Sequence, residues 1–272
     1  MQNRVKVAFI GGGNMAKALI AGISKSNSQN YKIVVSNPGN GKLMILKNDF
    51  GVAITTDNNA AIENADIIIL AVKPQIIKDV ILMLKKNISH DQLIISIAAG
   101  VSLGMLINWF DGYANILCAM PNLPAAINAG VTGIYAAKSL AKKFKEQAND
   151  IFALVGKNVW LEDESLMSAL AAVSGSGPAF VFYLIEALEN AAVHFGFAHD
   201  IARILALQTF FGGAQMAVES EDDAVTLRKK VTSAQGTTEK LITVLANAGL
   251  KDIVTGACQK AIERFDELSK KL

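Results

Sequence analysis

The sequence predicts an α/β domain built on a parallel sheet over residues 1–162, followed by an all-α domain over 163–272. Three observations carry this reading. A β-branched and aromatic run, Val5–Ile10, passes through Gly11, Gly12 and Gly13 into an Ala- and Leu-rich run of helical spacing that extends to Gly22. Short apolar runs then recur, each closed by small residues or proline, as strands covered on both faces require. After Trp160 the strand pattern stops, and long apolar helical runs take over from Ser165.

The opening stretch has the strand, tight turn and helix order of a Rossmann-type dinucleotide-binding unit. Gly11 lets the chain turn off the strand, and Gly13 leaves no side chain between the backbone and a pyrophosphate. The amides near Asn14 and Met15 then open a helix toward the anion, with Ala16 where a third glycine is common. Residues 32–37 read as the second strand and 38–41 as a loop. A carboxylate ending that strand would accept hydrogen bonds from the adenosine ribose of NAD and repel a 2′-phosphate. Ser36 and Asn37 stand there instead, with Lys42 close behind, which favours NADP; the alternative is that Ser36 and Asn37 only shape the turn.

Residues 52–54 form a third strand, and 58–65, opening at Asn58, a helical turn. The apolar run 65–74 is a buried strand whose carboxyl end, Ala71, Lys73 and Pro74, lies along the ligand crevice of an open α/β sheet, although Lys73 reads equally as a solvated loop lysine. The run 93–100 ends in small residues, Ala98 among them, that leave room for a nicotinamide ribose. Ile116–Met120 is another strand, capped by a loop that Pro121 and Pro124 make rigid. Strands at Gly130–Ala136 and 158–160 flank a helix over 139–155.

With 51% hydrophobic residues, the 272-residue chain can bury two cores. A net charge of +2, without basic runs interleaved with aromatics, speaks against nucleic acid and anionic membrane and for a small-molecule ligand. Cys118 and Cys258 lack metal or redox spacing and read as buried free thiols of a reducing compartment; no metal is assigned. There is no leader pattern and no stretch of about 18 uncharged apolar residues, so the reading is cytoplasmic with no membrane partner.

In the helical half, residues 173–178 lead into a helix over 179–195, with Pro178 at its first position and Ser176 or Gly177 as cap. Tyr183, Glu186, Asn190 and His194 form one polar stripe on an otherwise apolar helix, and His194 reads as a structural hydrogen-bonding residue. A second copy of the chain is the economical cover for such a helix. Residues 227–240 form a polar loop entering an amphipathic helix, with Thr237 or Ser233 as cap. Amides around Gly236, Thr237 and Thr238, together with the Ser233, Thr237 and Thr238 hydroxyls, suit either a carboxylate site or a plain helix cap.

Five motifs occur in an order that resembles the Δ1-pyrroline-5-carboxylate reductases: 71–75, 96–101, 120–125, 174–179 and 231–238. The likeness covers nearly the whole chain. It implies reduction of Δ1-pyrroline-5-carboxylate to L-proline with NADPH, NADH being possible, as the last step of proline biosynthesis. It also implies a homodimer or a ring of dimers. Residue by residue, it puts the cofactor against Gly11, Gly13, Asn14, Met15, Asn37, Asn58, Ala71, Lys73, Pro74 and Ala98. It puts the substrate carboxylate against Ser233, Gly236, Thr237 and Thr238. Two positions depart from the family pattern: Ala234 and Gln235 replace a Pro-Gly pair, and Leu123 replaces a threonine.

A protonated cyclic imine accepts hydride at carbon, so the protein must mainly orient it and offer its nitrogen a hydrogen bond, for which Thr238 is the candidate. Glu164 is either a group that sets the charge of the substrate site or an exposed loop acid. Two alternatives are a β-hydroxyacid-type dehydrogenase and a non-catalytic nucleotide-binding dimer. The former needs a catalytic lysine on a helix of the second domain, and no lysine occurs between Asn158 and Arg228.

Overall fold

The computed structural model describes residues 4–26 and 29–272. Packing divides the chain into two compact units, Met1–Ser176 with Ala261–Leu272, and Gly177–Lys260.

The first unit holds one sheet whose described strands are β1 (Val5–Ile10), β2 (Tyr31–Ser36), β3 (Ala53–Thr55), β4 (Ile67–Leu70), β5 (Leu93–Ser96), β6 (Ile116–Met120), β7 (Gly130–Ala136) and β8 (Gly156–Trp160). Their order is β3-β2-β1-β4-β5-β6-β7-β8. The run from β3 to β6 is parallel, as expected; β7 pairs antiparallel with β6, and β8 is parallel to β7. The reversal has a local cause. Only a single 3₁₀ turn, Leu123–Ile127, lies between β6 and β7, too little chain for the helical crossover that a parallel neighbour requires.

The helices of this unit are α1 (Asn14–Lys25), α2 (Asn40–Phe50), α3 (Asn58–Ile62), α4 (Pro74–Leu84), α5 (Leu103–Trp109), α6 (Lys142–Ala153) and α7 (Leu166–Leu170). The strand period of two sorts the core into two layers. Val7, Phe9, Ile67, Ile69, Leu93 and Ile95 pack with Leu19 and Ile20 of α1 and Phe144 and Phe152 of α6. Their neighbours Ala8, Ile10, Ile68, Leu70 and Ile94 pack with Ile77 and Ile81 of α4 and Leu106 of α5. Each fully buried Ile, Leu or Phe contributes about 1.5–3 kcal/mol, so the sheet is rigid and its strand ends are fixed points for a site. Cys118 is buried as expected, whereas Cys258 is only half-buried.

The second unit contains α8 (Gly177–His194), α9 (His199–Glu219), α10 (Ala224–Lys230), α11 (Thr237–Asn247) and the start of α12 (Leu250–Ser269). Among its described residues only Ala202 and Ala206 are fully buried. Phe182, Phe195, Phe211 and Val218 are 59%, 78%, 62% and 82% exposed. By length and composition the helical stretches Leu166–His194 and His199–Glu219 are apolar enough to cross a membrane. Serines, glycines and a few charged residues interrupt both stretches, so neither is an unbroken apolar run. Such a surface is made to be covered.

The expected cap before α8 is not formed. Residues 171–175 make a π-type turn that continues from α7, and Ser176 is itself helical (φ −86°, ψ −15°). His194, expected to hydrogen-bond, meets the Phe195 ring edge-on at 5.3 Å.

Candidate functional site

At the carboxyl end of β1, Gly11 has φ +106°, and a Cβ there would stand 2.6 Å from the Ala71 carbonyl oxygen. That oxygen is held in place, because Ala71 N–H donates to Ile10 at 2.8 Å and Gly11 N–H to Ser36 at 2.8 Å. Gly13 is the N-cap of α1 in extended conformation, and no side chain caps the helix. A Cβ on Gly13 would find its nearest atom 3.9 Å away. The first-turn amides, from Asn14 and Met15 onward, are therefore left without a side-chain acceptor at the positive end of a 12-residue helix, an arrangement that suits a diphosphate.

The end of β2 carries no carboxylate. Ser36 is fully buried and donates to the Asn58 Oδ1 at 2.5 Å. Asn37 accepts from Gly12 N–H at 3.3 Å and donates to the Gly39 carbonyl at 3.1 Å. These two side chains thus tie together the loops after β1, β2 and β3, the turn-shaping part that was the other reading of Ser36 and Asn37. Lys73 is the extended N-cap of α4 with an exposed side chain, and Pro74 is the first helical residue.

Beyond β5 and β6 lies a cavity of about 170 Å³. Ala98, Gly100, Cys118 and Met120 line it, with Glu164. Glu164 is half-buried, not an exposed loop acid, and accepts the Leu103 N–H at the start of α5 at 2.5 Å. Burial, with the Glu164 charge as a lesser cause, pushes the Cys118 thiol far up, so that it stays neutral. Sequence reasoning missed one wall, which is formed by Phe265, Asp266 and Ser269 from the end of α12. Gly100, at φ +81°, marks their approach, since a Cβ there would stand 2.6 Å from the Ser269 Oγ. A chain end more than 160 residues away in sequence left no local signal.

The candidate carboxylate site lies in the second unit. Gly236, in extended conformation, is the N-cap of α11, and no side chain caps it, so neither Thr237 nor Ser233 plays the expected capping part. Gly236 N–H donates to the Ser233 carbonyl at 3.1 Å, and a Cβ on Gly236 would collide with Ser233. Thr237 and Thr238 open the helix, the first exposed and the second half-buried. Gln235 takes a left-handed φ of +59°, a conformation that favours glycine, and its N–H is held by the Glu239 carboxylate at 2.7 Å. The structure thus brings the carboxylate candidates into one loop and helix start, and the cofactor candidates to the carboxyl ends of the strands. Among the described residues no group of three or more His, Cys, Asp or Glu side chains is placed to hold a metal.

A glycine turn at a strand end, an uncapped helix start beyond it and a cavity past β5 and β6 of the same sheet define the class: a Rossmann-type dinucleotide-binding protein with an appended helical unit. The sequence agrees in detail with known proteins. Residues 164–268 match the model for pyrroline-5-carboxylate reductase dimerisation, and residues 6–100 that for NADP oxidoreductase, coenzyme F420-dependent. The pyrroline-5-carboxylate reductase of Pseudomonas aeruginosa is 38% identical over 98% of both chains, and that of Methanosarcina acetivorans 38% identical over 100% of both. Among solved structures, a pyrroline-5-carboxylate reductase from Coxiella burnetii superposes with a TM-score of 0.90 at 39% identity, covering 98% of this chain and 99% of that one. The Plasmodium falciparum pyrroline carboxylate reductase with NADP bound gives 0.86 at 29% identity, covering 99% of each chain. This chain belongs to the pyrroline-5-carboxylate reductase family. A prephenate dehydrogenase from Aquifex aeolicus, 13% identical with a TM-score of 0.56, shares the fold only.

Proposed function

We propose that the chain catalyses NADPH-dependent reduction of Δ1-pyrroline-5-carboxylate to L-proline, with NADH as a possible substitute donor, at the last step of proline biosynthesis. Full-length membership of the family carries this reading. The residues present fit the cofactor. Gly11 and Gly13 leave the space before α1 open, and the end of β2 holds no carboxylate to repel a 2′-phosphate. Asn14 and Met15 would bind the pyrophosphate through their amides, Asn37 and Asn58 would shape the adenosine end, and Ala71, Lys73, Pro74 and Ala98 would flank the chain toward the nicotinamide. When bound, the cofactor supplies hydride to the carbon of the C=N bond.

The protein's own part is binding, orientation and one hydrogen bond. Ser233, Gly236, Thr237 and Thr238 hold the substrate carboxylate by amides and hydroxyls at the α11 start. The Thr238 hydroxyl serves the imine nitrogen. Glu164, fixed by its bond to Leu103, sets a negative charge beside the cavity that favours a cationic imine. The functional division runs between residues 162 and 163, the dimerisation model beginning at 164, although packing joins 163–176 to the first unit. The exposed apolar helices are covered in a homodimer or a ring of dimers, and the protein works in the cytoplasm. Purified protein supplied with NADPH and pyrroline-5-carboxylate consumes the cofactor and forms proline in equal amounts. Binding of NADPH without turnover would instead support a non-catalytic dimer.

A further inference from the structure

Two family-like motifs, residues 120–125 and 174–179, have no part in the reaction as described, and they meet at one side chain. Asn122 is buried, with 7% exposure. Its Oδ1 accepts the Val131 N–H at 2.9 Å, at the start of β7, and its Nδ2 donates to the Ser174 carbonyl at 3.1 Å.

The chemistry of the turn explains the second bond. Ser174 lies in the π-type turn 171–175, where Ser176 N–H reaches back to the Ala171 carbonyl at 2.8 Å. An α-helical ladder would give the Ser174 carbonyl to the N–H of residue 178, and that residue is Pro178, which has none. The acceptor is thus orphaned by the sequence itself, and a half-buried carbonyl gains from another donor. Asn122 supplies it. What the bond holds in place is the cavity wall: a Cβ on Gly175 would stand 3.1 Å from the Met120 Cε, so the turn lies against that side chain, and Met120 lines the cavity beyond β6. A π-type turn inside a helical run is a frequent mark of a functional site.

We infer that Asn122 is a positioning residue, which holds the π-type turn against Met120 and so sets the shape of the cavity wall. This rests on the proposed reductase reading, in which that cavity belongs to the reacting end of the site. Two variants of the full chain test it through different atoms. Asn122→Asp keeps the bond to Val131 but sets an oxygen against the Ser174 carbonyl. Gly175→Ala leaves both Asn122 bonds intact and presses on Met120 from the turn. Both variants raise KM for pyrroline-5-carboxylate about tenfold, while NADPH affinity measured by fluorescence titration stays within about twofold of wild type. Asn122→Asp also speeds amide hydrogen exchange across residues 170–180, whereas Gly175→Ala does not. Exchange unchanged in Asn122→Asp overturns the tie. Faster exchange and lower melting temperature with wild-type KM in both variants reduce Asn122 to a purely structural residue and overturn the positioning role. A wild-type protein without turnover counts against the proposed reaction instead, and the exchange result still decides whether Asn122 holds the turn.

Discussion

Gly11 and Gly13 stand two residues apart, and the structure assigns them opposite duties that one pair of variants can separate. At Gly11 alanine meets two obstacles: φ is +106°, and the new Cβ lies 2.6 Å from the Ala71 carbonyl oxygen, which the sheet ladder fixes. Backbone strain of about 1–3 kcal/mol, with overpacking of similar size, gives a loss of about 2–6 kcal/mol. At about 2–4 °C per kcal/mol for a chain of this size, the melting temperature falls by about 4–24 °C. At Gly13 the backbone is ordinary (φ −76°, ψ −179°), and a Cβ has 3.9 Å of clearance. Alanine as N-cap loses up to about 1 kcal/mol, offset by about 0.4–1 kcal/mol from a less flexible unfolded chain, so stability barely changes. The Cβ does, however, enter the space before the α1 amides, and NADPH affinity falls at least about tenfold, or 1.4 kcal/mol. Differential scanning fluorimetry and NADPH titration on the two variants provide the check. A Gly13→Ala protein that binds NADPH like wild type would falsify the placement of the pyrophosphate, and equal melting losses in both variants would refute the strain assigned to Gly11.

Three further outcomes follow from the geometry. Thr238→Ala lowers turnover about tenfold to hundredfold through a lost bond of about 1.5–3 kcal/mol to a charged nitrogen, and Thr238→Ser restores most of it; an alanine variant with full kcat removes Thr238 from the mechanism. Asn37→Asp sets a carboxylate at the end of β2 and weakens NADPH far more than NADH, and equal losses for both would show that the side chain only braces Gly12 and Gly39 and does not face the ribose phosphate. Glu164→Ala loses the acceptor for Leu103 N–H and about 1–2 kcal/mol of stability. Glu164→Gln keeps that acceptor and recovers the melting temperature but not KM; recovery of both denies the carboxylate a part in substrate binding.

Periodicity made most of the first unit legible. Val7, Phe9 and their alternating neighbours Ala8 and Ile10 are apolar because both faces of the sheet are covered, and that pattern survives in a single sequence. The glycine turn was legible for the same reason, since only glycine tolerates what Gly11 must do. The reversal of β7 was not, because strand direction depends on how much chain a connection has to spend rather than on the strand itself. Nor was the wall at Phe265 to Ser269, which arises from a contact distant in sequence. The polar stretches misled in one consistent way: Ser176, Thr237 and Ser233 look like caps, yet Gly236 and a π-type turn do that work, because a hydroxyl near a helix start can be placed for other partners.

Isotope transfer measures hydride delivery to the C=N carbon directly. Purified protein is given pyrroline-5-carboxylate and NADPH deuterated at the transferring position of nicotinamide C4, and the product is read by mass and by proton resonance. The expected product is L-proline carrying one deuterium at C5, the former imine carbon. Proline without deuterium, or cofactor that binds and is never oxidised, would contradict it.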